Sequence, residues 1–191
     1  MKKVVELEYE SLERLKELIR ERSLLIDYDR GFQLASGRRS YYLFDLKPIL
    51  LNPEGANLIA RYLYEKIKDD NAMYVGGLES GAIPIVTALC MFSWDKDKPL
   101  FGFFVRKKPK KSGTQSKIEG NIEPGENVII VDDVTTTGGS VLKAIEEVEK
   151  LGCKVIKVIS VIDRLEGARE NLSRRGIKFD PLFTKRDFGL R

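Results

Sequence analysis

Two adjacent carboxylates followed at once by hydroxyls and glycines are the residues of this chain best suited to chemistry. In the segment Val128 to Val141, VIIVDDVTTTGGSV, an apolar run leads into Asp132 and Asp133, and Val134, Thr135, Thr136, Thr137, Gly138, Gly139 and Ser140 follow. Backbone N–H groups in such a turn, added to the positive end of a helix beginning near Val141, can cradle a phosphate dianion. Two neighbouring acids are poor phosphate ligands. They suit hydrogen bonds from sugar hydroxyls, or from water on a metal ion. A Gly-rich turn by itself often only caps a helix. Here strand, paired acids, hydroxyls, glycines and helix coincide, and no Walker-type loop or dinucleotide fingerprint competes with them.

Two further clusters carry charge in a pattern that chemistry could use. Arg106, Lys107, Lys108, Pro109, Lys110, Lys111, Ser112 and Gly113 open a polar, Gly- and Pro-containing stretch that reaches about Gly125. A loop that long inside a small domain is usually a lid, a binding loop or disordered. In Asp163-Arg164-Leu165-Glu166-Gly167, Arg164 follows an apolar strand and would project from its end. A guanidinium there can grip a carboxylate through two parallel hydrogen bonds.

Composition removes several alternatives. The 191 residues contain no histidine, so Ser-His, Cys-His and histidine-metal chemistry are excluded. Cys90 and Cys153 are the only cysteines, without metal-ligand spacing, as expected in a reducing compartment. A net charge of +4 is too mild to imply nucleic acid or membrane as a partner. The longest apolar run, Ala82 to Phe92, is broken by Pro84 and Thr87 and is shorter than the roughly 20 residues of a membrane span. The first residues turn acidic where a signal peptide needs an apolar stretch. The expectation is a cytoplasmic protein.

These groups must be positioned by a regular frame. From about residue 72 onward, short apolar runs (MYVGG, PLFGFFV, NVIIVDDV, KVIKVISVID) alternate with helical patterns (AIPIVTALCMF, SVLKAIEEVEKLG). That alternation predicts an α/β fold with a doubly wound parallel sheet, whose ligands bind at the carboxyl ends of the strands. Upstream, Leu12, Leu15, Leu18 and Ile19 predict an amphipathic helix from about Tyr9 to Arg22. Gly31 to Asp45 predicts a hairpin or extended arm, and Asn52-Pro53 starts a helix running to about Lys68. Residues 1–191 are expected to form one domain. About 1–50 would be an N-terminal hood, about 51–165 the core sheet with a lid at 106–124, and about 166–191 a C-terminal segment that is a further candidate for the hood.

The Val128 to Val141 segment resembles the ribose-phosphate donor signature of the type I phosphoribosyltransferases. The resemblance implies that Asp132 and Asp133 contact the ribose of phosphoribosyl pyrophosphate, that Thr135 to Ser140 enclose its 5-phosphate, and that Val134 is among the donor-binding residues. Three other segments are similar to orotate phosphoribosyltransferase. Phe32, Ser36, Gly37, Ser40 and Tyr42 match its hood over the base, with Leu43 and Phe44 placed to bind the pyrimidine through backbone groups. Arg106, Lys107, Lys110 and Gly113 match its pyrophosphate-binding lid, often shared between subunits. Arg164 matches the arginine of its Asp-Arg-x-Glu-Gly-x-Arg run. By the same resemblance Thr136 also touches orotate, Lys110 lies nearest the leaving group, and Lys110, Asp132 and Asp133 are the catalytic candidates.

The resemblance further implies Mg²⁺ carried by substrate and water near Asp132 and Asp133, a homodimer, and a step of pyrimidine biosynthesis. The chain departs from common family patterns at Ala35, Gly81 and Ser112, each change removing a possible pyrophosphate contact. The loop Gly77 to Pro84 could still bind pyrophosphate through backbone amides. Two other readings stay open: transfer to a different nucleobase, and a non-catalytic ligand sensor on the same fold.

Overall fold

The computed structural model describes residues 2–33, 37, 39–109 and 116–191, with side chains from residue 10 onward. It divides into two units, 1–58 and 59–191.

In the first unit the charged amphipathic segment forms α1 (Lys2–Arg22), which buries Leu15, Leu18 and Ile19. Three or four apolar side chains at this spacing form one stripe, each contributing about 1.5–3 kcal/mol when fully buried. Strands β1 (Leu24–Ile26), β2 (Phe32–Gln33), β3 (Arg39–Ser40) and β4 (Tyr42–Phe44) follow. β2 and β3 pair antiparallel, Phe32 opposite Ser40, as the hairpin expectation requires, while β1 pairs antiparallel with β4. The short α2 (Lys47–Leu50) packs Ile49 and Leu50 into the interior of this unit. Helix α3 (Pro53–Ile67) starts where Asn52 and proline predict. The Gly55 N–H donates to Asn52 Oδ1 at 3.0 Å, an N-cap bond.

In the second unit β5 (Tyr74–Leu78), α4 (Ala82–Ser93), β6 (Phe101–Val105), β7 (Ile118–Gly120), β8 (Asn127–Thr135), α5 (Gly139–Glu149), β9 (Lys154–Asp163), α6 (Ala168–Ser173) and β10 (Lys178–Thr184) succeed one another. The strands form one sheet in the order β10-β9-β8-β5-β6-β7, parallel except for the β6–β7 pair. Central strands such as β8 and β9 are covered on both faces, so they read as continuous apolar runs rather than alternating ones. Val141, Ala144, Ile145 and Val148 of α5 close the core against Val128, Ile130, Val155 and Val158.

The topology places a crevice between β5 and β8. The chain leaves β5 toward β6 on one side and β8 toward β9 on the other, which is the switch point at which open α/β sheets bind ligands. β5 pairs with β8 only as far as Gly76 opposite Ile130. β8 continues along β9 to Thr135 opposite Asp163, so its carboxyl end has a strand partner on that side alone.

Two segments differ from expectation. The 106–124 stretch contains a return strand, β7, so the lid rises from a β6–β7 hairpin stem. The C-terminal segment contributes β10 (Lys178–Thr184), parallel to β9, which extends the core sheet beyond residue 165. Pro181 is compatible with β10 because an edge strand tolerates a missing N–H. Among the described residues no helix is long and apolar enough to cross a membrane.

Candidate active site

Asp132 and Asp133 lie within the last turn of β8, on opposite faces, as the period of a strand dictates. Asp132 is buried, and its Oδ2 accepts a hydrogen bond from Thr135 Oγ1 at 3.2 Å. Burial, and then the neighbouring charge of Asp133, push its carboxyl up to about 8. Asp133 is half-buried, and its Oδ1 accepts from the Val134 N–H at 2.8 Å. One acid is thus enclosed and the other partly open to solvent.

The strand passes through Thr135, Thr136 and Thr137 into Gly138, whose φ of +84° is the left-handed conformation that glycine adopts without steric cost. Helix α5 starts at Gly139 with no side-chain cap, which leaves its leading N–H groups for an anion. Thr137, Gly139 and Ser140 are exposed, and Thr136 is half-buried. Asn171 on α6 braces the turn, its Nδ2 donating to the Thr137 carbonyl at 2.9 Å.

At the end of the adjacent strand, the Arg164 N–H donates to the Thr135 carbonyl at 2.9 Å, joining the two strand ends. The Arg164 side chain is buried and forms an ion pair with Glu166, Nε to Oε1, at 2.9 Å. Between them Leu165 has a φ of +56°, uncommon for a residue with a side chain. The Asp163 carboxylate supports this turn by accepting from the Leu165 N–H at 2.8 Å. Burial raises the pKa of Asp163 above the ordinary carboxylate range.

On the other side of the crevice, the loop after β5 brings Gly81 against the Asp133 carboxylate. Glu79 Oε1 accepts from the Lys107 N–H at 2.7 Å, which ties this loop to the base of the lid. Arg106 continues the stem, its N–H donating to the Lys117 carbonyl at 2.7 Å and its guanidinium lying 3.6 Å from Glu119.

The structure therefore brings Asp132, Asp133, Val134 to Ser140 and Arg164 to the contiguous ends of β8 and β9, with Arg106 and Lys107 on the lid stem. Lys110, Ser112 and Gly113, like Ala35 and Ser36, lie outside the described residues. Leu43 and Phe44 stand on β4 of the first unit, with the Phe44 ring edge-on to Tyr42 at 5.8 Å. Sequence reasoning misses Glu79 and Asn171, whose roles come from contacts distant in sequence. Glu166 it notes only as part of a motif.

Residues 45–179 match the family model described as a phosphoribosyl transferase domain. The chain belongs to the phosphoribosyltransferase family, and its doubly wound sheet is the one that membership implies. The orotate phosphoribosyltransferase of Bradyrhizobium diazoefficiens is 47% identical over 180 residues, which are 92% of this chain and 94% of that protein. That of Aquifex aeolicus is 44% identical over 171 residues, 90% of this chain and 93% of that one. A crystal structure of Mycobacterium tuberculosis orotate phosphoribosyltransferase in complex with Fe(III) dicitrate aligns with a TM-score of 0.82 at 34% identity, covering 94% of this chain and 99% of the other. Within the family, the place of this chain is among the orotate phosphoribosyltransferases.

Proposed function

We propose that the protein transfers the 5-phosphoribosyl group of phosphoribosyl pyrophosphate to orotate, releasing orotidine 5-phosphate and pyrophosphate. The observation that carries this reading is the placement of a buried arginine, Arg164, beside the Asp132–Asp133 strand end and its phosphate-cradling loop. Orotate is the nucleobase substrate with a carboxylate, and a largely desolvated guanidinium holds such a group strongly.

In this reading the Thr135 to Ser140 turn and the α5 N-terminus hold the 5-phosphate. Asp132 and Asp133 hold the ribose hydroxyls, Asp133 as the half-buried acceptor and Asp132 as the buried acid beside it, its carboxyl raised by burial and then by the charge of Asp133. The orotate ring nitrogen forms its bond to the anomeric carbon as the bond to pyrophosphate breaks, and the leaving group takes the electron pair. Positioning and charge stabilisation supply the rate, with no covalent nucleophile. The donor's Mg²⁺ would neutralise the departing pyrophosphate when bound. Asp133, partly open to solvent, is a suitable acceptor for water on such an ion, since Mg²⁺ carried by phosphates needs few protein ligands. Arg106, Lys107 and Lys110 supply lid cations, Leu43, Phe44 and Thr136 contact the base, and the active unit is a homodimer in which the lid serves the partner's site.

The test is product identity. With orotate, donor and Mg²⁺, the protein should form orotidine 5-phosphate and pyrophosphate in equal amounts. Formation of neither would reject the reading.

A further inference from the structure

We propose that Asp163 is a positioning residue for the base: its buried carboxylate holds Leu165 in a left-handed turn, and that turn brings Glu166 back onto Arg164 and so fixes the guanidinium for orotate. The proposal rests on the reading of Arg164 as the orotate-binding arginine.

Leu165 has a φ of +56°, in the left-handed region where a Cβ crowds the following carbonyl oxygen. Among the described residues it is the one non-glycine with a positive φ. Glycines take the other such positions, including Gly167 only two residues on, at φ +105°. A leucine persists there only where its surroundings compensate. Asp163 supplies that compensation, because its Oδ1 accepts from the Leu165 N–H at 2.8 Å and closes the turn from within. The rest of its surroundings give no reason for an acid. Asp163 is only 1% exposed, and its Oδ2 has no hydrogen-bond partner among the described residues. Arg169, whose charge reaches it, donates instead to the Phe179 carbonyl at 3.2 Å. Burying a carboxyl with one oxygen unused is unfavourable, so the turn is what this carboxyl serves.

Both neighbours of Leu165 belong to the base site. The Arg164 N–H donates to the Thr135 carbonyl at 2.9 Å, which fixes where the arginine side chain leaves the strand end. The left-handed residue then reverses the chain, so that Glu166 Oε1 meets Arg164 Nε at 2.9 Å. With Leu165 in an extended or right-handed conformation, Glu166 would leave in another direction and the guanidinium would lose its brace. Asp163 thus acts on orotate through the turn.

The test is the KM of orotate and of phosphoribosyl pyrophosphate in variants of Asp163 and Leu165. Asp163→Ala should raise the orotate KM about tenfold, because relaxation of Leu165 makes the competent turn a minor state, and change the donor KM less than about twofold. Asp163→Asn keeps an acceptor oxygen, and burial already raises the pKa of this carboxyl, so its orotate KM should stay within about twofold of the parent. In a Leu165→Gly background, adding Asp163→Ala should cost less than about threefold, since glycine takes the left-handed turn unaided. Should Asp163→Ala not fold, Leu165→Val and Leu165→Asn read the turn with Asp163 in place. Valine, β-branched, resists the left-handed region and should raise the orotate KM about tenfold, whereas asparagine tolerates it and should not. Five results would overturn the proposal: a folded Asp163→Ala with a parent-like orotate KM, an equal rise for both substrates, Asp163→Asn as poor as Asp163→Ala, the same penalty in both backgrounds, or equal orotate KM values for Leu165→Val and Leu165→Asn. A parent-like orotate KM in Arg164→Met would instead defeat the reading of Arg164 itself, and the proposal with it.

Discussion

Arg164 and Glu166 face one another across the left-handed turn at Leu165, Nε to Oε1 at 2.9 Å, with side chains only 4% and 15% exposed. A guanidinium carries five N–H donors, so one arginine can engage an internal carboxylate and a substrate carboxylate together. Glu166 thus fixes the guanidinium at the strand end, where an orotate carboxylate would meet it.

This pair separates a binding effect from a folding effect. Arg164→Met should raise the orotate KM about a hundredfold while changing the donor KM little. It should also lower stability by about 1–3 kcal/mol, because the half-buried Glu166 loses its ion pair with Arg164. Arg164→Met/Glu166→Gln should recover much of that stability and none of the orotate affinity. Recovery of both in chemical denaturation and steady-state kinetics would show that Arg164 acts only through folding.

The paired acids are tested by loss of turnover without loss of fold. Asp132→Asn/Asp133→Asn should reduce phosphoribosyl transfer by about a hundredfold or more while circular dichroism stays that of the parent. A folded double variant of near-normal activity would remove both residues from the site.

Stability should depend on pH in a direction set by the buried carboxyls. Asp132 titrates near 3.8 when unfolded and at about 8 when folded, and Asp163 is raised in the same sense, burial being the first cause for both. Between those values the unfolded chain has lost protons that the folded chain keeps, so stability falls as pH rises through that window. Below the window the contribution is fully present, and above about 8 it is gone for Asp132. The ligand-free melting temperature should therefore drop from mildly acid to mildly alkaline pH, and Asp132→Asn should flatten the slope. An unchanged slope in that variant would assign the effect to other groups.

What could be read from sequence follows the range of the interactions involved. The strands β5, β6, β8 and β9 are buried runs flanked by helical patterns, and their parallel order follows from that alternation. The edge strand β10 is short of that signal because Pro181 interrupts a half-exposed run, and β7 has only three residues. Lys157 is a buried cation inside an apolar strand. Its Nζ donates to the Lys66 carbonyl at 2.8 Å near the end of α3 and pairs with Asp70, a role that depends on chain far away in sequence. The site divides in the same way. Asp132, Asp133, the loop to Ser140 and Arg164 are consecutive residues at strand ends, whereas the Glu79 tie to Lys107 arises only when separate loops meet.

The proposed sharing of the lid between subunits predicts complementation. Lys110→Ala and Asp132→Asn/Asp133→Asn, each inactive alone, should regain activity when mixed under conditions of subunit exchange. One site of each mixed dimer then has both an intact lid and intact acids, so activity should approach about half the parent level per dimer. Exchange without recovery would place the lid in its own chain's site.

Recognition of a carboxylate-bearing base is read out by the ratio of kcat/KM for orotate to that for uracil. Uracil presents the same ring without the carboxylate, so it would leave the buried Arg164 site unfilled. Orotate should be favoured by at least about a thousandfold, the discrimination expected when a site built for a charged group meets a substrate lacking it. Equal kcat/KM for the two bases would mean that Arg164 does not read the carboxylate.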